Sequence, residues 1–223
     1  TILELALKTD GDCLPMIPTV TDTTADPVSC TVNGKPYTCT IIADRGLVCI
    51  KDVKVPVVPE GVSVSGTVKS YNPNNATTIQ LMQGGTKMYQ TTIAAATGSG
   101  QKEQSFSFAS VAAGKYDLVV VKPGHLSYTV KDVVVGDTAI DLTTHTNAAI
   151  STITLIPGDL NNDGSVNTQD YQILTSPSNY GKSASLAAVK VADINGDGSI
   201  NTQDYQILTS PSHYGKSNVI LAY

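Results

Sequence analysis

Residues 159–183, DLNNDGSVNTQDYQILTSPSNYGKS, are followed by a second copy at residues 193–217, DINGDGSINTQDYQILTSPSHYGKS, and only four of the 25 positions differ. Counted from its first Asp, each copy carries oxygen-bearing residues at positions 1, 3, 5, 7, 9 and 12 and a glycine at position 6. This spacing is typical of a calcium-binding loop, in which alternating oxygens and one backbone carbonyl surround a hard cation. The sequence therefore predicts two calcium ions, with these ligand positions: Asp159, Asn161, Asp163, Ser165, Asn167 and Asp170 in the first repeat, and Asp193, Asn195, Asp197, Ser199, Asn201 and Asp204 in the second.

A helix is predicted to follow each loop, starting in the segment TQDYQIL. Asn167 and Asn201 precede these segments and can cap the helices. Asp170 and Asp204 then fall at the third helical position, where a carboxylate favours both the helix N-terminus and a cation. Prolines at 177 and 211 should end the helices early. A single D-x-N-x-D-G stretch is often an ordinary acidic turn, but two complete loops that each open a helix favour calcium.

The order of loop, helix, linker, loop and helix resembles the dockerin module over residues 157–223. The resemblance implies calcium-dependent folding, a linking helix at SASLAAVKVA, an approximate two-fold axis and binding of a cohesin partner through the helices. Many dockerins carry a Ser-Thr pair at loop positions 10 and 11 and basic residues further along, so this sequence leaves the identity of the partner open. The partner-binding candidates are Thr168, Gln169, Thr175, Ser176, Thr202, Gln203, Thr209 and Ser210.

The ends of this region are predicted to meet, because a two-fold arrangement brings LIPGD, before the first loop, close to the final NVILAY. Pro157 and Tyr223 would then stack as a clasp, and a frayed tail is the alternative. His213, which replaces Asn179 of the first repeat, is expected to be exposed.

Residues 61–156 are predicted to form a β-sandwich. Seven short segments with alternating apolar residues are separated by turn residues, as in sandwich domains. They are VSVSGTVKSY, TTIQLMQ, TKMYQTTI, QSFSFASV, KYDLVVVK, LSYTVKDVVV and AAISTITLI. This part resembles carboxypeptidase-regulatory-like and prealbumin-like sandwiches, including the X modules that precede dockerins, which implies a stabilising or spacing role. The expected fold class is mainly β, an Ig-like or prealbumin-like sandwich followed by a small α-helical module.

Residues 1–60 contain all four cysteines of the chain, Cys13, Cys30, Cys39 and Cys49, and none of the C-x-x-C pairs typical of zinc sites. Disulfide bonds are therefore predicted. The Asn33-Gly34 turn signal would let Cys30 face Cys39 across a hairpin and leave Cys13 for Cys49, although three connectivities stay open. Disulfides favour an extracellular or cell-surface location, where Asn75 would be a glycosylation acceptor. The sequence shows no signal peptide, and we expect Thr1 to be a processed or trimmed start.

Several functional classes are disfavoured by composition. The net charge of −5 argues against nucleic-acid binding, which needs a basic surface. No apolar run reaches the roughly 18 residues needed to span a bilayer. The three histidines are isolated, and no hydrolase or metalloprotease motif is present, so we expect no enzyme.

Two functions remain. The first is a non-catalytic, secreted assembly module that binds two calcium ions and a cohesin-like protein. The alternative is a structural subunit that binds copies of itself in an extracellular filament. In that hypothesis Leu3, Leu5 and Leu7 alternate along an N-terminal strand that is donated to the neighbouring subunit.

Overall fold

The computed structural model describes the backbone of residues 28–32, 35–42 and 46–51 and all of residues 61–223. The chain divides into two compact units, Thr1–Val57 and Val58–Tyr223. Leu3, Leu5, Leu7 and Cys13 lie outside the described residues. The donated strand and the disulfides therefore stay predictions.

The first unit contains an antiparallel sheet of three strands, β1 (Val28–Val32), β2 (Lys35–Ile42) and β3 (Gly46–Lys51), in that order. The strands on either side of Asn33-Gly34 pair as the turn signal predicted. The predicted facing of Cys30 and Cys39 is wrong, however. A two-residue connection sets Val32 opposite Lys35, and this register leaves Cys30 opposite Tyr37. Cys39 instead lies opposite Cys49 in the pairing of β2 with β3.

The second unit begins with a β-sandwich. One sheet has the order β12-β9-β8-β5-β6, and in the other β4 pairs with β7 along one edge and with the short parallel strands β10 and β11 along the other. The strands are β4 (Val62–Tyr71), β5 (Thr77–Gln83), β6 (Thr86–Ile93), β7 (Gln101–Val111), β8 (Gly114–Val121), β9 (Tyr128–Val135), β10 (Ile140–Asp141), β11 (Ile153–Thr154) and β12 (Val219–Ala222).

The sandwich core follows from the alternation in the sequence, because successive side chains of a strand point to opposite faces. Val64 and Val68 of β4, Ile79 and Leu81 of β5 and Leu118 of β8 are buried between the sheets. The first six predicted segments all form strands. This confirms the mainly β fold class.

The seventh predicted strand, residues 148–156, is wrong over most of its length. It forms the short helix α1 (Ala148–Ser151) before the two residues of β11. The side chain of Asn147 accepts a hydrogen bond from the backbone N–H of Ala149 at 3.0 Å, and Ile150 is buried in the sandwich core. The cap and this packing outweigh the strand propensity of the segment.

The region from Pro157 onward contains α2 (Thr168–Thr175), α3 (Thr202–Leu208) and a 3-10 helix, Lys190–Ala192. It has its own core, formed by Leu126 of the sandwich with Leu160, Val166, Leu174, Ala187, Ala192, Ile194, Ile200 and Leu208. Both helices end before their prolines, as predicted. No helix in the described part of the chain is long and apolar enough to cross a membrane.

The linking helix predicted at residues 183–192 is wrong except for its last turn. The backbone N–H of Ala184 donates to the carbonyl of Gly198 at 2.9 Å, and the N–H of Val189 donates to Oδ1 of Asn179 at 2.9 Å. A helix over these residues would need the N–H of Val189 for the carbonyl of Ser185, so the hydrogen bond to Asn179 competes with helix formation. The bond from Ala184 holds the start of the segment against the second loop.

The C-terminal strand β12 runs parallel to β9 and adds the last strand to the larger sheet. Val219 and Leu221 pack against the sandwich core, whereas Ile220 is 65% exposed. The predicted stack of Pro157 on Tyr223 is not formed. Strand pairing carries Tyr223 along β9 to His145, where the ring centroids are 4.9 Å apart, and Pro157 pairs with His125.

Replacing Leu221 by Ala should lower the free energy of unfolding by about 2 kcal/mol, because it removes apolar contact between β12 and the sandwich core. Ile220→Ala is the matched control and should change it by less than about 0.5 kcal/mol, since this side chain faces solvent. Urea unfolding of both variants measures the difference. Equal effects would show that β12 does not pack as described.

Candidate metal centre and interaction surface

The first loop, residues 159–170, is folded by its own side-chain oxygens. Oδ1 of Asn161 accepts from the backbone N–H of Asp163 at 3.1 Å, and Oδ1 of Asp163 accepts from that of Ser165 at 2.9 Å. The carboxylate of Asp159 accepts from the N–H groups of Asp163 and Gly164 at 3.0 and 3.1 Å. Such turns, in which a side chain bonds the backbone two residues on, gather oxygens on the inside of a tight loop.

Asp170 joins the end of this loop to its beginning. Its Oδ1 accepts from the N–H of Leu160 at 2.7 Å, and its Oδ2 accepts from the N–H of Asn167 at 2.9 Å. Asn167 caps α2 by accepting from the N–H of Gln169 at 2.7 Å. Asp170 therefore completes a capping box and holds the loop closed, as its position at the third helical residue predicted.

The second loop, residues 193–204, has nearly the same geometry. Asp204 accepts from Ile194 and Asn201, as Asp170 does from the equivalent residues of the first loop. Asn195 and Asp197 form the same two turns. Because two separate stretches of chain reach one conformation, that conformation follows from the shared sequence.

The loop acids lack positive partners. Asp170 and Asp204 are fully buried, and Asp159 and Asp193 are nearly so. Within residues 61–223 the two ion pairs found, Lys115 with Asp132 and Lys131 with Asp117, both lie in the sandwich.

Burial raises the pKa of Asp159, Asp193 and Asp204, because it disfavours their charged forms. A bound cation would reverse this effect by favouring the ionised carboxylates.

The donor set fits calcium. Each loop supplies a mixture of carboxylate, amide and carbonyl oxygens, which are the ligands that calcium takes. No group of three Asp, Glu, His or Cys side chains in the described part of the chain is arranged to hold a metal ion, the loop acids included, and these acids bond backbone N–H groups instead. The serines at loop position 7 do not use their hydroxyl groups to bond the loop acids in the described structure. Oγ of Ser165 bonds Oγ of Ser217 at 3.3 Å, and Ser199 is exposed. Position 7 would therefore offer its backbone carbonyl.

The two repeats are joined by reciprocal hydrogen bonds. The N–H of Val166 in the first loop donates to the carbonyl of Lys216 in the second repeat at 2.8 Å, and the N–H of Ile200 in the second loop donates to the carbonyl of Lys182 in the first at 2.9 Å. Each loop is thus paired with the segment that follows the helix of the other repeat. The predicted two-fold relation is present in these contacts.

The helix face, which we define as the exposed residues of α2 and α3 with Tyr180 and Tyr214, also follows this relation. The hydroxyl of Tyr214 lies 3.1 Å from that of Thr168, and the hydroxyl of Tyr180 lies 3.1 Å from that of Thr202. Between them the rings of Tyr171 and Tyr205 meet edge to face, with centroids 5.8 Å apart. The exposed residues of both helices are uncharged: Thr168, Gln169, Gln172, Thr202, Gln203 and Gln206.

The remaining predicted partner-binding residues bond within their own repeat, as Gln169 and Gln203 do by accepting from Nδ2 of Asn161 and Asn195 at 3.0 and 2.9 Å. Thr175 and Thr209 donate their hydroxyls to the carbonyls of Tyr171 and Tyr205, at 2.8 and 2.7 Å. Ser176 and Ser210 bond nearby serine hydroxyls at 2.8 Å.

Gln172 and Gln206 were not predicted for this surface, although they lie one helical turn after Thr168 and Thr202 and therefore share a face with them. They are exposed.

A family model matches residues 157–210 of the chain, and its description is the dockerin type I domain. These residues form a dockerin domain. The chain is also similar to two solved structures, an N-terminal and a C-terminal interface mutant of the type II cohesin–X–dockerin complex from Acetivibrio cellulolyticus. The identities are 22% and 21%, both TM-scores are 0.48, and each alignment covers 70% of this chain and 97% of the matched chain. No curated protein matches the chain.

His125 lies where the sandwich meets the start of the dockerin domain. It is buried, and its Nδ1 donates to the carbonyl of Pro123 at 3.0 Å, while its Nε2 has no hydrogen-bond partner in the described structure. Burial lowers the pKa of His125 to about 4, although the hydrogen bond to Pro123 acts in the opposite direction. The imidazole is therefore neutral across the physiological range.

The protein should lose stability as the pH falls from 6.5 to about 4, because the unfolded chain takes up a proton at His125 that the folded chain refuses. His125 alone should lower the free energy of unfolding by about 3 kcal/mol over that interval. Below pH 4 its contribution should not change further. His125→Asn keeps a donor for Pro123 and should unfold with a weaker pH dependence. Urea unfolding of the unmodified protein and of His125→Asn, at constant calcium and over a range of pH, measures the difference. Both proteins contain the same carboxylates, so these contribute equally. Free energies of unfolding that depend on pH in the same way would contradict the prediction.

Proposed function

We propose that the dockerin domain binds two calcium ions and attaches this protein to a cohesin-type partner in an extracellular or cell-surface assembly, without catalysing a reaction. The observation that carries the proposal is the pair of closed loops, each with buried acids that lack a positive partner and each opening a capped helix on one shared surface. The dockerin family match supports the cohesin partner.

In the first loop Asp159, Asn161, Asp163 and Asp170 would hold calcium with the backbone carbonyl of Ser165. Their equivalents in the second loop are Asp193, Asn195, Asp197, Asp204 and Ser199. Asn167 and Asn201, which were also predicted as ligands, use their Oδ1 atoms to cap α2 and α3. Bound calcium would supply the positive charge that the buried carboxylates lack. Asp170 and Asp204 bond the loop backbone through both oxygens, so they orient the first turn of α2 and α3 together with the loops.

The helix face would then meet the partner. Its exposed helical residues are uncharged, so we expect recognition by hydrogen bonds and aromatic contact, with little dependence on salt. The hydroxyl groups of Thr168 and Tyr214 bond each other, as do those of Thr202 and Tyr180, and these bonds fix the two tyrosine side chains on the helix face. A preorganised surface loses less side-chain entropy on binding.

Calcium titration should show two ions per chain, and Asp163→Ala or Asp197→Ala should each remove one. Excess chelator should remove the helical circular dichroism and leave the sheet signal, since the dockerin core is small and contains buried acids. Asp137→Ala removes an exposed carboxylate from the sandwich and serves as the control. A helical signal that survives chelation would contradict the proposed role of calcium.

Thr168→Glu combined with Thr202→Glu should weaken capture by a cohesin at least tenfold, because both changes place charge on the neutral helix face. Thr92→Glu makes the same substitution at an exposed position of β6 and should have no effect. Surface plasmon resonance against a panel of cohesins measures this, and circular dichroism checks that α2 and α3 persist. If no cohesin in the panel binds the unmodified protein, the proposed partner class is wrong.

A further inference from the structure

The four differences between the repeats are of two kinds. Leu160/Ile194 and Val166/Ile200 exchange one buried aliphatic side chain for another. The other two, Asn162/Gly196 and Asn179/His213, change the chemistry of the position.

Both of these positions in the second repeat touch the sandwich. Gly196 lies against Asn72 and Asn74, and the ring of His213 meets that of Tyr71 edge to face, with centroids 6.3 Å apart. In the first repeat, Asn162 is exposed, and Asn179 bonds Val189 of the linker.

The sandwich donates three hydrogen bonds to backbone carbonyls of the second loop, a set that we call the sandwich contact. Nδ2 of Asn72 donates to Asp193 at 2.7 Å, Nδ2 of Asn74 donates to Gly196 at 2.8 Å, and the N–H of Gly100 donates to Asn195 at 2.6 Å. No hydrogen bond between the sandwich and the matching carbonyls of the first loop, those of residues 159, 161 and 162, is found in the described structure.

The sandwich contact requires glycine at position 196. A Cβ there would lie 2.5 Å from Oδ1 of Asn72 and 2.8 Å from Nδ2 of Asn74, closer than atoms pack. Position 162 has nearly the same backbone, with φ of 60° against 73°, yet it accepts Asn. The loop conformation itself therefore tolerates Asn, and the exclusion at position 196 comes from the sandwich.

His213 keeps the local bond of its counterpart and adds a contact. Its Nδ1 donates to the carbonyl of Ile207 at 2.6 Å, as Nδ2 of Asn179 donates to that of Ile173 at 2.7 Å. Its ring then reaches Tyr71, at the end of the strand that leads to Asn72. The repeats therefore differ in chemistry at the two positions, 196 and 213, where the second repeat touches Asn72, Asn74 and Tyr71 of the sandwich.

We propose that the two calcium sites are unequal, because the sandwich contact bonds three carbonyls inside the second loop, whereas the backbone hydrogen bond between the sandwich and the start of the first repeat, from Gly158 to Gly124, lies before the first loop. This inference rests on the proposed binding of calcium. Asn72 and Asn74 are positioning residues for the second site: they fix the backbone at loop positions 1 and 4 and contribute no ligand. In the folded domain the sandwich contact adds three hydrogen bonds to the second loop alone, so the folded, calcium-binding form of that loop is the more stable of the two and the second site binds calcium more tightly. By linkage, calcium in the second loop strengthens the sandwich contact by the same factor.

Exchanging the residues of the two repeats tests this in the full chain. Asp163→Ala leaves only the second site, and Asp197→Ala leaves only the first. In the first background, Gly196→Asn should weaken calcium binding about tenfold, the effect of losing one or two hydrogen bonds. In the second background, Asn162→Gly should change it by less than about threefold, since this side chain is exposed. Isothermal titration calorimetry measures each dissociation constant.

Asn74→Ala gives an independent check, because this exposed side chain donates to the second loop and can be removed without a clash. It should weaken the second site and leave the first unchanged, and the unfolding transition of the sandwich should persist in each variant.

Equal effects of the two exchanges, or no effect of Gly196→Asn and Asn74→Ala, would overturn the inequality while calcium binding stands. Absence of calcium binding in the unmodified protein would instead overturn the proposed function on which it depends.

Discussion

The dockerin domain depends on the reciprocal pairing of each loop with the segment after the other repeat's helix. The hydrogen bonds from Val166 to Lys216 and from Ile200 to Lys182 mean that neither repeat completes its own structure. The shared core has the same property, since Val166, Leu174, Ile200 and Leu208 come from both repeats. A region of this size gains little from apolar burial alone. The loops, the helices and the helix face should therefore form together.

Local patterns in the sequence were sufficient for most of the fold and for the loops. Alternation placed six sandwich strands, and the spacing of Asp and Asn placed two loops whose side chains bond their own backbone within a few residues. Such interactions depend on neighbours along the chain, so one sequence reveals them. The caps at Asn167 and Asn201 and the early helix ends before the prolines belong to the same class.

Most of the wrong predictions concern residues whose conformation or exposure depends on contacts with distant parts of the chain. Residues 183–189 have a helical composition but bond the second loop and Asn179 instead. Residues 148–151 are a different case, because the cap at Asn147 that starts their helix is a local signal, which the prediction of a strand over 148–156 did not take into account. His213 was expected at the surface, yet it meets Tyr71 from a segment more than 140 residues away. Nothing in the sequence near residues 183–189 or His213 indicates their partners, because these partners are fixed by tertiary packing.

The attachment of the dockerin domain at both of its ends also bears on mechanical force. Its start is tied to the sandwich by the N–H of Gly158, which donates to Gly124 at 2.8 Å, and its end continues into β12 beside β9. A pull between the helix face and the sandwich would be shared by these two attachments and by the second loop. A tether built in this way yields only when several attachments break together, whereas a single flexible link would extend at low load.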